Sequence, residues 1–335
     1  MLAEELRKAL VGEGHSAEIV GVPFKWYPPE RILDHMLACQ MLDLTESEGK
    51  AIDRLIGLKF PAYLMPHPHK VLWLLHQHRQ AYDMWADPVS GDLVHAEKGA
   101  AVRDAIINAD KKFLPEARGI FTISRNVANR LRSFCGIEAV PLYHPPPGAS
   151  QLYGIAPESY LFFPSRLLAT KRQDLALEAL AKTRCPVRIK FAGVPNHPDY
   201  LTQLKKTAAK LGIESRVEWL GGVSEEEKRD LYARCLGVVY LPRDEDYGYV
   251  TLESMLCGKP LVVPADSGGP LEFVDNGING LVSEPTAEAL ADAMDQLWDN
   301  REAAIRWGKA GQEKYRAAGI NWPNVVHRLL HGAGQ

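Results

Sequence analysis

Apolar positions in the second half of the chain change from a strand-like to a helix-like spacing and back again. Residues 236–241 (LGVVYL) form a short, almost wholly apolar run that predicts a buried parallel strand, and Pro242 ends it. From Val250 onward the apolar positions fall at helical spacing until Gly258. A second strand-like run, residues 261–263 (LVV), follows. This order of strand, loop, helix and strand is typical of a doubly wound α/β sheet.

Similar patterns predict alternating strands and helices along most of the remaining chain. Further apolar runs predict strands at 17–20, 71–75, 119–124, 160–164, 187–193 and 217–221. Helix-like runs predict helices at 1–14, 98–114, 126–134, 200–211 and 286–299, one from Asp174, and one that opens with a capping box at Ser224. The alternation favours parallel sheets covered by helices.

A proline-rich segment near the middle of the chain predicts a boundary between two domains. Residues 143–148 read YHPPPG, and three consecutive prolines make a stiff, extended connector. A chain of 335 residues is also long enough for two ordinary domains. We therefore predict one domain over 1–147 and a second over 148–316, with a ligand cleft between them.

The loop after the predicted strand 236–241 is placed to bind an anion. Ligands of doubly wound sheets lie beyond the carboxyl ends of the strands, and Gly248 precedes a helix that we expect to begin near Tyr249. Two carboxylates flank this point: Glu245 in the loop and Glu253, which we expect in the first turn of the helix. A carboxylate suits the vicinal hydroxyls of a sugar or ribose. Taken singly, each acid is better explained as an ordinary residue, a solvated loop acid for Glu245 and a partner of the helix dipole for Glu253.

Two cations lie in the loop after the predicted strand 160–164. Arg166 and Lys171 are separated by four residues at the carboxyl end of that strand. Two fixed cations at this place would neutralise a diphosphate. Solvated surface cations are the ordinary alternative, but the acidic pair later in the chain favours a shared pyrophosphate site.

These motifs together resemble the nucleotide-sugar half of the GT-B glycosyltransferases, specifically glycosyltransferase family 4. The family's pattern of a glutamate, seven residues and a second glutamate is matched by Glu245 and Glu253. Its Gly-Lys-Pro-like turn and its Gly-Gly-x-x-Glu loop are matched by Gly258-Lys259-Pro260 and by Gly268-Gly269-Pro270-Leu271-Glu272. The resemblance implies an α/β GT-B fold, with two Rossmann-like, doubly wound parallel-sheet domains facing a cleft.

The resemblance also implies an activity and residue roles. A family 4 enzyme is a retaining hexosyltransferase that moves a sugar from a UDP- or GDP-sugar to a hydroxyl of a glycan or a lipid-linked acceptor. Arg166 and Lys171 are similar to the family's Arg-x4-Lys pair, which stabilises the departing diphosphate. Glu245 would orient the sugar hydroxyls and Glu253 would hold the ribose. The residues implied to bind the donor near the start of the helix are Gly248, Tyr249, Val250 and Thr251.

One implied site residue lies in the first domain. His76 directly follows the predicted strand 71–75, where a histidine of the family contacts the transferred sugar. Taken alone, His76 would be explained as a histidine that caps a strand. The implied catalytic residues are therefore His76, Arg166, Lys171 and Glu245.

Both ends of the chain bear on the first domain. The helix 1–14 and the strand 17–20 resemble the first helix and second strand of a family 4 enzyme. The family's first strand and its glycine-rich loop stand before that helix, and we expect the N-terminal domain to lack them. The segment 321–330 (NWPNVVHRLL) resembles the helix of the family that crosses back onto the first domain, so we predict that 317–335 forms a C-terminal helix crossing back to that domain.

Composition fits a globular enzyme and excludes several other classes. Hydrophobic residues make up 46% of the chain, and a net charge of −3 argues against a nucleic-acid partner. Five scattered cysteines without a Cys-x-x-Cys pair predict reduced thiols and no zinc site. We see no signal peptide and no apolar run of the roughly 20 residues that span a membrane. We expect a cytoplasmic protein, with peripheral attachment to the inner face of the membrane left open, and neither a metal nor a cofactor besides the donor.

Three alternatives stay open at this point. Asp244-Glu245-Asp246 spells the Asp-x-Asp metal motif of the other glycosyltransferase fold, GT-A. A nucleotide-sugar epimerase also uses the GT-B fold and needs no acceptor. A truncated or degenerate GT-B protein could bind nucleotide or a partner without turnover. A dehydrogenase is disfavoured because no Gly-x-Gly-x-x-Gly follows any predicted strand.

Overall fold

A computed structural model describes residues 2–87 and 91–332, which fold into two α/β units. Unit 1 comprises the described residues up to His144 together with those from Asn321 onward, and unit 2 comprises Pro145–Ile320. The division after His144 falls inside the proline-rich segment, three residues before the predicted boundary at 147.

Unit 1 is built on a four-stranded parallel sheet with the strand order β3-β4-β5-β6. Every residue of β4 is buried, which explains why positions 71–74 are all apolar and do not alternate between apolar and polar residues. A small antiparallel pair, β1 and β2, stands apart from this sheet. The strands are β1 (Glu46–Ser47), β2 (Lys50–Ala51), β3 (Leu55–Gly57), β4 (Lys70–Leu74), β5 (Gly119–Thr122) and β6 (Val140–Pro141), and the helices are α1 (Leu2–Gly12), α2 (Arg31–Met41), α3 (Gly99–Phe113) and α4 (Arg125–Cys135).

Unit 2 is built on a six-stranded parallel sheet with the strand order β12-β11-β10-β7-β8-β9. The chain first builds the sheet outward from β7 to β9 and then returns to β10, beside β7, to build outward on the other side. The strands are β7 (Leu161–Pro164), β8 (Ile189–Ala192), β9 (Val217–Gly221), β10 (Gly237–Val239), β11 (Leu261–Pro264) and β12 (Gly280–Ser283). The helices are α5 (Gln173–Lys182), α6 (Pro198–Lys210), α7 (Glu225–Arg234), α8 (Tyr249–Leu256), α9 (Ala287–Asp299) and α10 (Arg301–Ala317).

The core of unit 2 lies between this sheet and its helices. Three aromatic rings stack across neighbouring strands: Phe163 of β7 on Phe191 of β8 at 5.1 Å between centroids, and Phe191 on Trp219 of β9 at 4.6 Å. Helices α5 and α9 pack against each other and contribute Leu177, Leu180 and Met294, which are fully buried. This burial holds the carboxyl ends of the strands in fixed positions.

The final helix, α11 (Trp322–His331), belongs to unit 1. It packs against α1, and Trp322 meets Trp73 of β4 edge to face with 6.2 Å between ring centroids. A side-chain hydrogen bond from Arg54 to the carbonyl of Leu329 adds a polar contact at 3.5 Å. Unit 1 is therefore assembled from two segments of chain that lie on either side of unit 2 in the sequence.

Most predicted elements are present, and one is wrong. Residues 17–20 were predicted as a strand, but they pair with no other strand, and Ile19 and Val20 are exposed. Apolar side chains alone do not make a strand when no neighbouring edge supplies hydrogen bonds. The capping box at Ser224 is confirmed: its hydroxyl accepts from the Glu227 amide, and the Glu227 carboxylate accepts from the Ser224 amide. The elements that the sequence patterns missed include α2, β3, β12 and α10.

Candidate functional site

The strand order of unit 2 reverses between β7 and β10, and we call the carboxyl ends of these two strands the switch point. Loops leave a sheet in opposite directions where its order reverses, so a crevice opens between them. The loop after β7 carries Arg166 and Lys171, and the loop after β10 carries Glu245 and leads to Gly248. The topology thus brings Arg166, Lys171 and Glu245 to the same edge of the sheet.

Lys171 and Glu245 form an ion pair at the switch point. The ammonium group of Lys171 contacts a carboxylate oxygen of Glu245, and it lies 3.3 Å from the hydroxyl of Tyr240. Both charged side chains are mostly buried. Burial raises the pKa of Tyr240 well above its usual value, and the carboxylate of Glu245 raises it further, so Tyr240 stays neutral. A cation from one loop and an acid from the other therefore converge, as the sequence predicts.

Arg166 lies on the same loop as Lys171, with its side chain exposed. The buried side chain of Gln173 holds this loop: its amide nitrogen donates to the Ser165 hydroxyl and the Arg166 carbonyl, both at 3.0 Å. The amide oxygen of Gln173 accepts from the backbone of Leu168 at 3.3 Å. The backbone of Arg166 is thus fixed while its guanidinium faces solvent.

Backbone hydrogen bonds join the loops that follow β7, β10 and β11. The amide of Arg243 donates to the carbonyl of Thr170 at 3.0 Å, and the amide of Glu245 donates to the carbonyl of Ser267 at 2.8 Å. The backbone around Glu245 is therefore hydrogen-bonded to the loop after β7 on one side and to the loop after β11 on the other.

An ion pair that the sequence did not reveal reinforces this junction. Arg172 donates two hydrogen bonds to Asp266, at 2.8 and 2.5 Å, in the side-by-side geometry that a guanidinium and a carboxylate favour. The pair connects the loop of Lys171 to the loop after β11. Its members are 94 residues apart, and no local pattern in the sequence marks either of them.

Gly248 allows the sharp entry into α8. Its φ of +83° lies in the left-handed region, and a Cβ there would lie 2.9 Å from Pro270 Cγ and 3.1 Å from Tyr240 Cε1. Three residues later, the hydroxyl of Thr251 is buried and has no hydrogen-bond partner among the described residues. An orphaned buried hydroxyl at the start of a helix fits a site that a ligand's oxygen atoms complete. Tyr249 and Val250, which are partly buried, supply the first helical amides.

The position of Glu253 differs from the prediction in one respect. Because α8 begins at Tyr249, Glu253 is its fifth residue and lies in the second turn, not the first. Its carboxylate accepts a hydrogen bond of 2.7 Å from the Tyr232 hydroxyl and one of 3.4 Å from the Lys228 ammonium, both from α7. The two glutamates of the motif thus have different partners: Glu245 contacts Lys171, and Glu253 faces α7.

His76 lies in unit 1, just beyond the end of β4, and is partly buried. One ring nitrogen, Nδ1, lies 2.6 Å from the carbonyl oxygen of Gln77. The other predicted site residues all lie in unit 2.

The side chain of Gln77, next to His76, belongs to a buried polar cluster centred on Asp110. The Asp110 carboxylate accepts from the Tyr82 hydroxyl at 2.7 Å, the Tyr63 hydroxyl at 2.9 Å and the Gln77 amide at 3.1 Å. Burial raises the pKa of Asp110 to about 6, although the three hydrogen bonds act to lower it. Asp110 is therefore a buried acid whose ionisation costs free energy in the folded state.

Comparison with known proteins assigns unit 2 to a family. Residues 154–314 match the family described as glycosyl transferases group 1. Unit 2 belongs to this family. The match includes the loops of the switch point and all of α8, and it confirms the resemblance of the chain to the GT-B glycosyltransferases.

Two relatives of this group 1 domain show how far the similarity extends. The alpha-1,3/1,6-mannosyltransferase ALG2 of Dictyostelium discoideum is 33% identical over 122 residues, which are 36% of this chain and 29% of the relative. The D-inositol 3-phosphate glycosyltransferase of Mycolicibacterium smegmatis is 29% identical over 283 residues, which are 75% of this chain and 62% of the relative. The chain thus spans less than two thirds of the length of either relative.

Solved structures confirm the GT-B fold. Sucrose-phosphate synthase from Thermosynechococcus elongatus aligns with a TM-score of 0.75 over 98% of this chain and 90% of its own, at 16% identity. Anabaena HepE, solved in complex with UDP and glucose, aligns with a TM-score of 0.68 over 97% of this chain and 87% of its own, at 18% identity. At these identities the likeness concerns the fold alone.

The GT-A alternative is wrong. The parallel sheets of both units, together with the GT-B neighbours, exclude that fold. Within Asp244-Glu245-Asp246, the central carboxylate is engaged by the ammonium of Lys171. Across the described ranges, no cluster of three or more histidine, cysteine or acidic side chains is arranged to hold a metal ion. No helix within those ranges combines the length and the apolar character that crossing a membrane requires.

The first prediction concerns Gly248. We expect Gly248→Ala to lower the free energy of unfolding by about 2–4 kcal/mol, because the new methyl adds overpacking to left-handed backbone strain. Gly277→Ala is the matched control: Gly277 has a φ of +72° but open space around it, so strain alone should cost about 1 kcal/mol. Urea unfolding measures both variants. Equal losses would show that the contact with Pro270 and Tyr240 is unimportant.

The second prediction concerns the pH dependence that Asp110 imparts. Since its pKa is raised from 3.8 to about 6 on folding, its protonation favours the folded state below pH 4, and this contribution is lost as the pH rises through 6. The free energy of unfolding should fall by about 3 kcal/mol through this effect, and the Asp110→Asn variant should not show that fall. Asp104→Asn, which changes an exposed acid on the same helix, is the control. Urea unfolding between pH 4 and pH 8 tests this, and parallel curves for the wild type and Asp110→Asn would contradict it.

Proposed function

We propose that the chain is a retaining GT-B hexosyltransferase of the family 4 type. It would move a sugar from a UDP- or GDP-sugar to a hydroxyl of a glycan or lipid-linked acceptor. The observation that carries this proposal is the convergence of Lys171 and Glu245 at the switch point of a group 1 glycosyl transferase domain. The sugar-transfer names of the two relatives and the UDP and glucose bound to HepE support it.

The diphosphate of the donor would lie between the loop of Lys171 and the start of α8. Lys171 and Arg166 supply positive charge from one side. The backbone amides at the start of α8 and the buried hydroxyl of Thr251, which has no hydrogen-bond partner among the described residues, supply hydrogen-bond donors from the other side. Once Lys171 is paired with phosphate, the carboxylate of Glu245 is left to accept hydrogen bonds from the sugar hydroxyls.

The reaction would proceed on one face of the sugar. The bond between the anomeric carbon and the phosphate oxygen breaks, a bond from the acceptor oxygen forms on the same face, and the acceptor's proton passes to the departing phosphate. Lys171 and Arg166 lower the barrier by stabilising the negative charge that develops on the diphosphate. His76 would contact the transferred sugar from unit 1. No step in this scheme requires a metal or a dedicated general base.

The third prediction tests the donor site. UDP or GDP should raise the melting temperature, on the order of 5 °C at a hundredfold excess over its dissociation constant. Lys171→Ala should weaken that binding about tenfold or more, because a diphosphate loses a partly buried cation. Lys182→Ala is the control, since its ammonium pairs with Glu288 at the surface, 2.9 Å away. Unchanged binding by Lys171→Ala would exclude the assigned phosphate site.

The fourth prediction uses sugar-transfer activity to distinguish an enzyme from a module that only binds nucleotide. Glu245→Gln should retain UDP binding and lose about a hundredfold in sugar transfer, because Glu245 is assigned to the sugar and not to the nucleotide. Transfer should persist in EDTA. Nucleotide binding without transfer or donor hydrolysis would favour a non-catalytic module, and isomerised nucleotide-sugar as the product would favour an epimerase.

A further inference from the structure

Glu253 lies in an unusual environment for a carboxylate. Helix α8 is short, and the residues around Glu253 on it, Thr251, Leu252, Ser254 and Met255, are all buried. Glu253 itself is only 7% exposed. Burying an ionised carboxylate is costly unless it is paired and hydrogen-bonded. The orientation of the Glu253 carboxylate is therefore determined by its hydrogen-bond and ion-pair partners.

Two side chains of α7 meet this carboxylate, one at each oxygen. The hydroxyl of Tyr232 donates to Oε2 at 2.7 Å, and the ammonium of Lys228 donates to Oε1 at 3.4 Å. Tyr232 is fully buried, and its ring is fixed edge to face on Phe162 of β7, with 5.0 Å between centroids. The position of the Tyr232 hydroxyl is consequently set by the core of the sheet.

The charge of Lys228 is secured from two directions. Its ammonium lies 2.8 Å from Glu225 and 3.4 Å from Glu253. Burial acts to lower the pKa of Lys228, but the two carboxylates outweigh it and the pKa is raised. Lys228 therefore remains a cation beside Glu253.

The geometry leaves a defined set of acceptor positions. A carboxylate has two oxygens with about four lone-pair sites between them. Tyr232 occupies one site on Oε2 and Lys228 occupies one on Oε1, which leaves one on each oxygen. Two acceptors on adjacent oxygens match the two hydroxyls of a vicinal diol such as the ribose of a nucleotide.

We infer that Tyr232 and Lys228 are positioning residues that orient the carboxylate of Glu253 toward the 2′- and 3′-hydroxyls of the donor nucleotide. Through them the site distinguishes a ribose from a dideoxyribose. The inference rests on the proposed function, and it assigns to α7 a part in donor recognition that the family motif on α8 does not contain.

A purely structural role is the alternative. In that case the contacts would only join α7 to α8, and removing them would lower stability or weaken every ligand alike. A positioning role differs because it acts on the ribose hydroxyls alone.

The test measures affinities by calorimetry for UDP, GDP, their 2′,3′-dideoxy counterparts and inorganic pyrophosphate. In Tyr232→Phe, the preference for the ribonucleotide should fall about tenfold, while the affinities for the dideoxynucleotide and for pyrophosphate stay unchanged. Lys228→Met should reduce the same preference about threefold, because its side chain is partly solvated. Lys228→Met also tests the inference independently if Tyr232→Phe does not fold.

Tyr160→Phe is the matched control. Tyr160 is also buried, and its hydroxyl donates to the Leu231 carbonyl of α7 at 2.8 Å without contacting Glu253. It should leave the ribose preference as in the wild type. Equal weakening of ribo- and dideoxynucleotides by Tyr232→Phe, or no weakening of either, would overturn the inference and leave the donor site standing. A folded wild type that binds neither UDP nor GDP would overturn the proposed function and this inference with it.

Discussion

The reversal of strand order between β7 and β10 is the constraint on which the candidate site depends. Parallel strands are joined by crossover connections, and the crossovers that follow β7 and β10 run away from each other on opposite sides of the sheet. No connection therefore covers the carboxyl ends of these two strands. At that edge the loops after β7 and β10 face each other, and the charges they carry are forced together. Lys171 and Glu245 are 74 residues apart in sequence and are in contact for this reason.

The loops at this edge are held before any ligand arrives. Gln173 fixes the backbone around Arg166, the Arg172–Asp266 pair joins two loops, and backbone bonds place Glu245 between its neighbours. Ordering a loop on binding costs conformational entropy, so a site whose loops are already fixed retains more of its interaction energy. It also presents charges where a transition state needs them, without reorganisation.

Part of this arrangement could be predicted from the sequence. Buried strands such as β4 and β11 appear as continuous apolar runs, and the rule that ligands lie at the carboxyl ends of strands places Lys171 near Glu245. The pairs Arg172–Asp266 and Tyr232–Glu253 could not be predicted, because they depend on how loops and helices pack after the sheet has formed. Strand β3 is only three residues long, which is too short to give a clear signal. Residues 17–20 illustrate the opposite error: their apolar run predicts a strand, but they have no strand to pair with.

The composition of unit 1 from two separate chain segments has a consequence for biosynthesis. Helix α11 packs against α1 and β4, yet the ribosome makes it after all of unit 2. Unit 2 is continuous in sequence and can fold as soon as it emerges, whereas unit 1 must wait for its last helix. During that interval the surfaces of α1 and β4 that later receive α11 are uncovered.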